Sequence, residues 1–218
     1  MEQNQQPQPP VFNQPQQQMP PQTPQYQPRV VARPMMGFLE AIKTCLKKYA
    51  DFKGRARRSE FWWFVLFLVI VYIVGSFLAG FLAAFLNDVM GVDLARTTLI
   101  IISLIMLAFA LPFFAVLTRR LHDTGRGGWW VALFTVILLI YSISYTILVW
   151  PIMDQMTSLD PYELASQLTG TMMESPTLAT MMSFSGMALF VMVIILLIFT
   201  VLDSKWGMNK YGPSPKYQ

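Results

Sequence analysis

Four stretches of the chain contain no Asp, Glu, Lys, Arg or His: Phe61–Leu86, Thr98–Thr118, Trp129–Trp150 and Phe184–Leu202. Each is close to the roughly 20 helical residues that cross the hydrocarbon core of a bilayer. A helix satisfies its own backbone hydrogen bonds, which lipid cannot do for it. The pattern therefore predicts an all-α integral membrane protein, a four-transmembrane-helix bundle. No apolar run precedes Phe61, so the first span is expected to stay as an anchor rather than be cleaved as a signal.

The pattern outside the spans is also informative. Met35, Phe38, Leu39, Ile42, Cys45, Leu46 and Tyr49 recur at helical spacing, with Lys43, Lys47 and Lys48 mostly off that stripe. This predicts an N-terminal interfacial amphipathic helix with its lysines toward anionic headgroups. Before it, Met1–Pro34 holds eleven Gln and nine Pro. Such a segment buries too little apolar surface to offset its ordering entropy, so it reads as a disordered Gln/Pro-rich leader to a membrane domain over residues 35–218. Ser59 is the expected N-cap of the first span. Asp160-Pro161-Tyr162-Glu163 has the form of a helix start, with Gly170 as its stop and Ser175-Pro176 as a second start. In the first span, Gly75, Ala79 and Ala83 repeat every four residues, as do Ser76, Gly80 and Ala84, which allows close approach of another helix. Pro112 interrupts the second span and frees the carbonyl of Ala108.

Charge sets an orientation. Of the 16 Lys and Arg, only Arg96 falls in the two segments that follow the first and third spans. Asp88, Asp93, Asp154, Asp160, Glu163 and Glu174 share those segments. Short basic loops stay in the cytoplasm, so both termini are expected there. The net charge of +4 thus reflects topology and gives no reason to expect nucleic acid.

Three polar boxes meet the basic side: DFKGRARRSEFWWF (Asp51–Phe64), RRLHDTGRGGWW (Arg119–Trp130) and DSKWGMNKYGPSPK (Asp203–Lys216). Enzyme readings fare poorly. One His and one Cys cannot build a His- or Cys-rich metal site. Asp123-Thr124-Gly125 resembles an aspartic-protease triplet, but that chemistry needs two such carboxylates. Neither GxSxG nor a P-loop is present. The six methionines from Met153 to Met182 offer thioethers to Cu(I) but equally serve as adaptable apolar residues. No metal and no cofactor are expected. The apolar runs lack the ionisable groups that usually mark transport paths.

Binding fits better. Arginine forks, glycine-freed backbone amides and tryptophans at the interface suit an anionic lipid headgroup. The candidate residues are Arg55, Arg58, Glu60, Trp62, Arg119, Arg120, His122, Asp123, Arg126, Trp129, Asn209 and Tyr211. A second reading stands beside this one: Glu60, Asp123 and Asp203 pair with the arginines and clamp helix ends together. On the first reading, alanine at Arg119, Arg120 and His122 together weakens lipid retention without abolishing insertion.

GRARRSEFWWF, RRLHDTGRGGWW and N-x-YGPSP, in that order around the spans, resemble the YhaH/YhaI-like bacterial inner-membrane family known as domain of unknown function 805. The resemblance runs from about Phe38 to Pro215. It rests on Gly54, Arg55, Arg58, Glu60, Trp62, Arg119, Arg120, His122, Asp123, Gly128, Trp129, Asn209, Tyr211 and Gly212. It implies a small multi-spanning protein of the bacterial cytoplasmic membrane and no particular reaction. The functional expectation is a non-enzymatic membrane component whose cytoplasmic face binds anionic lipid or a partner, which includes another membrane protein or a second copy of the chain. The alternatives are a transporter or channel subunit, or an enzyme acting on lipid-linked phosphate.

Overall fold

The computed structural model describes residues 34–91, 93–155 and 160–216. Residues 1–33 of the Gln/Pro leader, and Met156, lie outside them. Among the described residues, the regular elements are helices: α1 (Phe38–Lys47), α2 (Arg58–Met90), α3 (Leu94–Asp123), α4 (Trp129–Val149), a short 3-10 turn (Trp150–Gln155), α5 (Pro161–Glu174) and α6 (Pro176–Val201). Helices α2, α3, α6, and α4 with its 3-10 extension, are long and apolar enough to cross a membrane.

The spans run past their apolar cores. Helix α3 stays helical through Arg119, Arg120, His122 and Asp123, past the end of its apolar run at Thr118. The chain turns only at Thr124–Gly128, where Gly125 has φ +81°. Helix α2 starts at Arg58 with Arg57 as N-cap and no side-chain cap bond, so Ser59 is not the cap. Asp160 does cap α5, accepting from the backbone N–H of Tyr162 and Glu163 at 2.8 and 2.9 Å. Gly170 does not stop that helix: nothing crowds it, its cost in a helix is only about 1 kcal/mol, and α5 continues to Glu174.

Packing is organised as two helix pairs, α2 with α3 and α4 with α6. The Gly75, Ala79 and Ala83 stripe of α2 is the buried one. A Cβ on Gly75 would sit 3.2 Å from the Ile102 side chain, so the helix that this stripe admits is α3 of the same chain. Ala84, on the other stripe, is exposed. The pairs are joined near the basic end by a core that includes Phe61, Phe64, Val116, Leu121, Val131 and Leu196. At the opposite end, Arg96 donates to the Trp150 carbonyl at 3.3 Å.

Helix α1 buries Ala41 and Cys45 and packs against α2. Trp63 Nε1 donates to the Met36 carbonyl at 3.0 Å, and the Phe38 ring meets Trp63 edge-on at 5.8 Å. The carbonyl released by Pro112 has a partner from this region: the Tyr49 hydroxyl donates to Ala108 O. A proline inside a spanning helix is thereby accommodated without an orphaned acceptor in lipid.

Candidate functional site

Helix α3 ends in a membrane protein, so its last carbonyls need partners that lipid cannot supply. Residues from the other two boxes provide them. The Ala56 N–H donates to Arg119 O at 3.0 Å, and the Lys205 N–H to Asp123 O at 3.1 Å. Asn209 Nδ2 donates to His122 O at 3.0 Å. The end of α6 is capped from α3 and α2. Arg120 Nε donates to Thr200 O at 3.0 Å, its Nη2 to Leu202 O, and Arg58 Nε to Leu202 O at 3.2 Å. Cations at helix C-termini also complement the helix dipole.

Asp123 is the centre of this arrangement. Its carboxylate pairs with Arg55 Nε at 2.9 Å, both side chains being at most 1% exposed, and with the equally buried Arg120. The Ser204 hydroxyl donates to it as well. Arg55 uses its other nitrogens on backbone carbonyls. Nη1 reaches Gly207 O at 2.9 Å and Gly212 O at 3.2 Å, and Nη2 reaches Lys205 O at 2.6 Å. One guanidinium from the first box thus holds the third box onto the end of the second.

His122 completes that contact. Its Nδ1 lies 3.2 Å from Gly54 O. A carbonyl only accepts, so Nδ1 carries the proton. The ring stacks on Tyr211 at 3.7 Å, tilted by 7°. Asn209 and Gly212 bridge each other, with Gly212 at φ +119°, a backbone conformation that favours glycine. Gly128 is needed for space: a Cβ there would lie 2.9 Å from Thr118 Cγ2.

A second buried pair lies beside this cluster. Arg119 Nη1 donates to Glu60 Oε1 at 2.6 Å, with side-chain exposures of 0% and 5%. Arg119 Nε and Nη2 find no hydrogen-bond partner among the described residues. The Cys45 thiol points at the same carboxylate, 3.9 Å away. Burial and the neighbouring Glu60 charge push that thiol up to about 12, so it stays a neutral, unreactive donor.

The remaining candidates lie at the rim. Arg58 pairs with Asp203 at 3.0 Å, their side chains 44% and 56% exposed. Lys216 Nζ contacts both Asp203 oxygens at 3.0 and 3.1 Å. These bonds, that from Lys216 foremost, hold the Asp203 carboxyl below its usual range. Arg57 Nε donates to Pro215 O. These groups line a cavity of about 210 Å³ with Ser59, Ser204 and Met35. Arg126 sits apart, its guanidinium 3.8 Å from the centre of the Phe199 ring. Trp62 and Trp129 are exposed.

Of the twelve candidates, Arg55, Glu60, Arg119, Arg120, His122 and Asp123 are therefore buried, with Asn209 and Tyr211 braced against them. Arg58, Trp62, Arg126 and Trp129 remain at the periphery. Ser204, Lys216 and Cys45 contribute although they are not among the twelve. Ser204 and Lys216 lie in the third box, where a serine beside Asp203 and one more tail lysine carry no distinguishing pattern. Among the described residues, no group of three or more His, Cys, Asp or Glu is placed to hold a metal ion.

The family described as a protein of unknown function, DUF805, matches residues 49–213. Inner membrane protein YhaH of Escherichia coli is 40% identical over 91 residues, which are 42% of this chain and 69% of YhaH. Inner membrane protein YhaI of the same species is 40% identical over 91 residues, 42% of this chain and 67% of YhaI. No solved structure matches the chain.

Proposed function

This chain belongs to the DUF805 family, and from that premise we propose that it is a non-enzymatic inner-membrane protein that binds anionic lipid headgroups at its basic, cytoplasmic end. Both termini lie on that side. The observation that supports the reading is the cavity of about 210 Å³ between the start of α2 and the chain after α6, lined by Arg57, Arg58 and Lys216, with Arg58 and Lys216 paired to the half-exposed Asp203.

Magnitudes decide which cations serve the ligand. Breaking a buried pair such as Arg55–Asp123 costs about 3–5 kcal/mol, more than a headgroup contact returns. An exposed pair such as Arg58–Asp203 is worth about 0–1 kcal/mol. A phosphate can therefore displace Asp203 from Arg58 or Lys216 at small cost, and forks of the arginine type suit it. The buried residues of the three boxes hold this rim in place. Alanine at Arg119, Arg120 and His122 would dismantle that support, so it does not isolate binding.

Native mass spectrometry of detergent-purified protein, titrated with phosphatidylglycerol or phosphatidylcholine, tests the reading. The wild type is expected to retain phosphatidylglycerol selectively. Arg58→Gln with Lys216→Gln is expected to lower that retention about tenfold or more, at about 1 kcal/mol per cation. Equal retention of the two lipids by the wild type would refute it.

A further inference from the structure

Helices α3 and α4 belong to different packed pairs, and a seam runs between them from the basic end. It is tight at its head, where a Cβ on Gly128 would lie 2.9 Å from Thr118 Cγ2. Beside this contact lies an apolar groove of about 480 Å³, walled by Phe114 of α3, by Val131 and Val136 of α4, and by Phe52 of the link between α1 and α2. Gly128 to Val136 spans roughly 12 Å along α4, at 1.5 Å per residue. The hydroxyls of Thr118 and Thr135 are already spent on Phe114 O and Val131 O, both at 2.8 Å. The groove therefore suits alkyl chain and has no donor free for a polar ligand. Val136 is 54% exposed, so the groove opens on the outward face of two spanning helices.

Phe52 also belongs to a basic basin, where Lys47, Lys48 and Lys53 surround one carboxylate, Asp51. Among the described residues, none of these three ammonium groups forms an ion pair. The link that carries Phe52 and Lys53 is pinned on both sides. The Tyr49 hydroxyl donates to Ala108 O, and the Ala56 N–H donates to Arg119 O at 3.0 Å. The backbone beneath the cations is thus held beside the groove before any ligand arrives, which lowers the ordering cost of binding.

We propose that basin and groove form a second lipid site, which takes an anionic glycerophospholipid with its phosphate at Lys47, Lys48 and Lys53 and one acyl chain in the seam. The site shares no residue with the rim cavity and stands whether or not the rim binds lipid. Its position chooses the class of occupant: a groove on the outward face of spanning helices meets lipid chains, and a peptide would leave its backbone amides unsatisfied there. Charge complementarity chooses the headgroup: three cations against one carboxylate favour net negative charge over a zwitterion.

The test is photocrosslinking of the intact protein in bilayers. The probe is phosphatidylglycerol with a diazirine in the upper half of one chain, run beside the matching phosphatidylcholine. Label from phosphatidylglycerol is expected on peptides containing residues 114–118 and 131–136, in clear excess over phosphatidylcholine. Lys47→Gln, Lys48→Gln and Lys53→Gln together should bring the two probes toward parity, at about fivefold for each lysine lost. Arg58→Gln, at the rim, should leave the excess unchanged. Loss of the excess in Arg58→Gln but not in the lysine variant would assign the selectivity to the rim and overturn the second site. Equal labelling of the seam by both probes in the wild type would overturn the anionic occupant. Absence of label there from both probes, the result expected where another protein covers the seam, would overturn the site altogether. The wild-type comparison decides even if the triple variant does not fold.

Discussion

Asp123→Ala is expected to cost about 3–5 kcal/mol of stability, the price of leaving buried charge without its counterion. The carboxylate faces two guanidiniums, Arg55 and Arg120, each at most 1% exposed. Their carbonyl partners would remain, but carbonyl dipoles do not cancel two positive charges in a site that excludes water. Ser204 would lose its acceptor as well. Asp123→Asn keeps an oxygen for Arg55 and should lose less. Unfolding in mixed micelles, followed by tryptophan fluorescence, ranks wild type, Asp123→Asn and Asp123→Ala in that order of stability. Equal stability of all three would show that the buried charges are not paired as described.

Glu60→Ala should be comparably damaging, for a more local reason. Arg119 has this carboxylate as its side-chain partner, and Nε and Nη2 have none among the described residues to share the load. Removing Glu60 strands a fully buried cation, again at about 3–5 kcal/mol. The compensating change differs from the first case. With Arg119→Met added, the stranded charge disappears and most of the loss should return, since an apolar replacement of a buried pair is often neutral or better. The same device fails at Asp123, where Arg55 also holds Lys205, Gly207 and Gly212 by their carbonyls. A double-mutant cycle in the same micelle assay measures the difference. No recovery in Glu60→Ala/Arg119→Met would mean that the pair does more than balance charge.

The spans were legible because lipid imposes one requirement on every residue of a spanning helix. Uninterrupted apolar runs state it directly, and their identities were right to within a few residues at most ends. Their boundaries were not legible at Arg119–Asp123. Charged residues read as the end of an apolar run, yet the helix continues because Arg55, Glu60 and Ser204 arrive to pair with them. The cap of α5 was legible because Asp160 acts within three residues of its own sequence. Sequence alone leaves the clamp as one of two readings, because burial decides which arginines are paired inside and which stay at the rim. Nothing in the local pattern of Arg119-Arg120 against Arg57-Arg58 reveals that the first two are sealed and that Arg58 is nearly half exposed. The apolar cavity lined by Phe61, Val65, Phe113, Phe134 and Leu197 was invisible for a simpler reason: a concavity among four spanning helices leaves no mark in runs that are apolar on every face.

The first and third boxes are locked onto the end of α3, and hydrogen–deuterium exchange of the wild-type protein in micelles tests this most directly. The amides of Ala56 and Lys205, which donate to Arg119 O and Asp123 O, belong to irregular segments that would otherwise exchange quickly. Both are expected to be protected, and Asp123→Ala should release them together while α2 and α6 stay protected at mid-span. Fast exchange of both amides in the wild type would contradict the clamp.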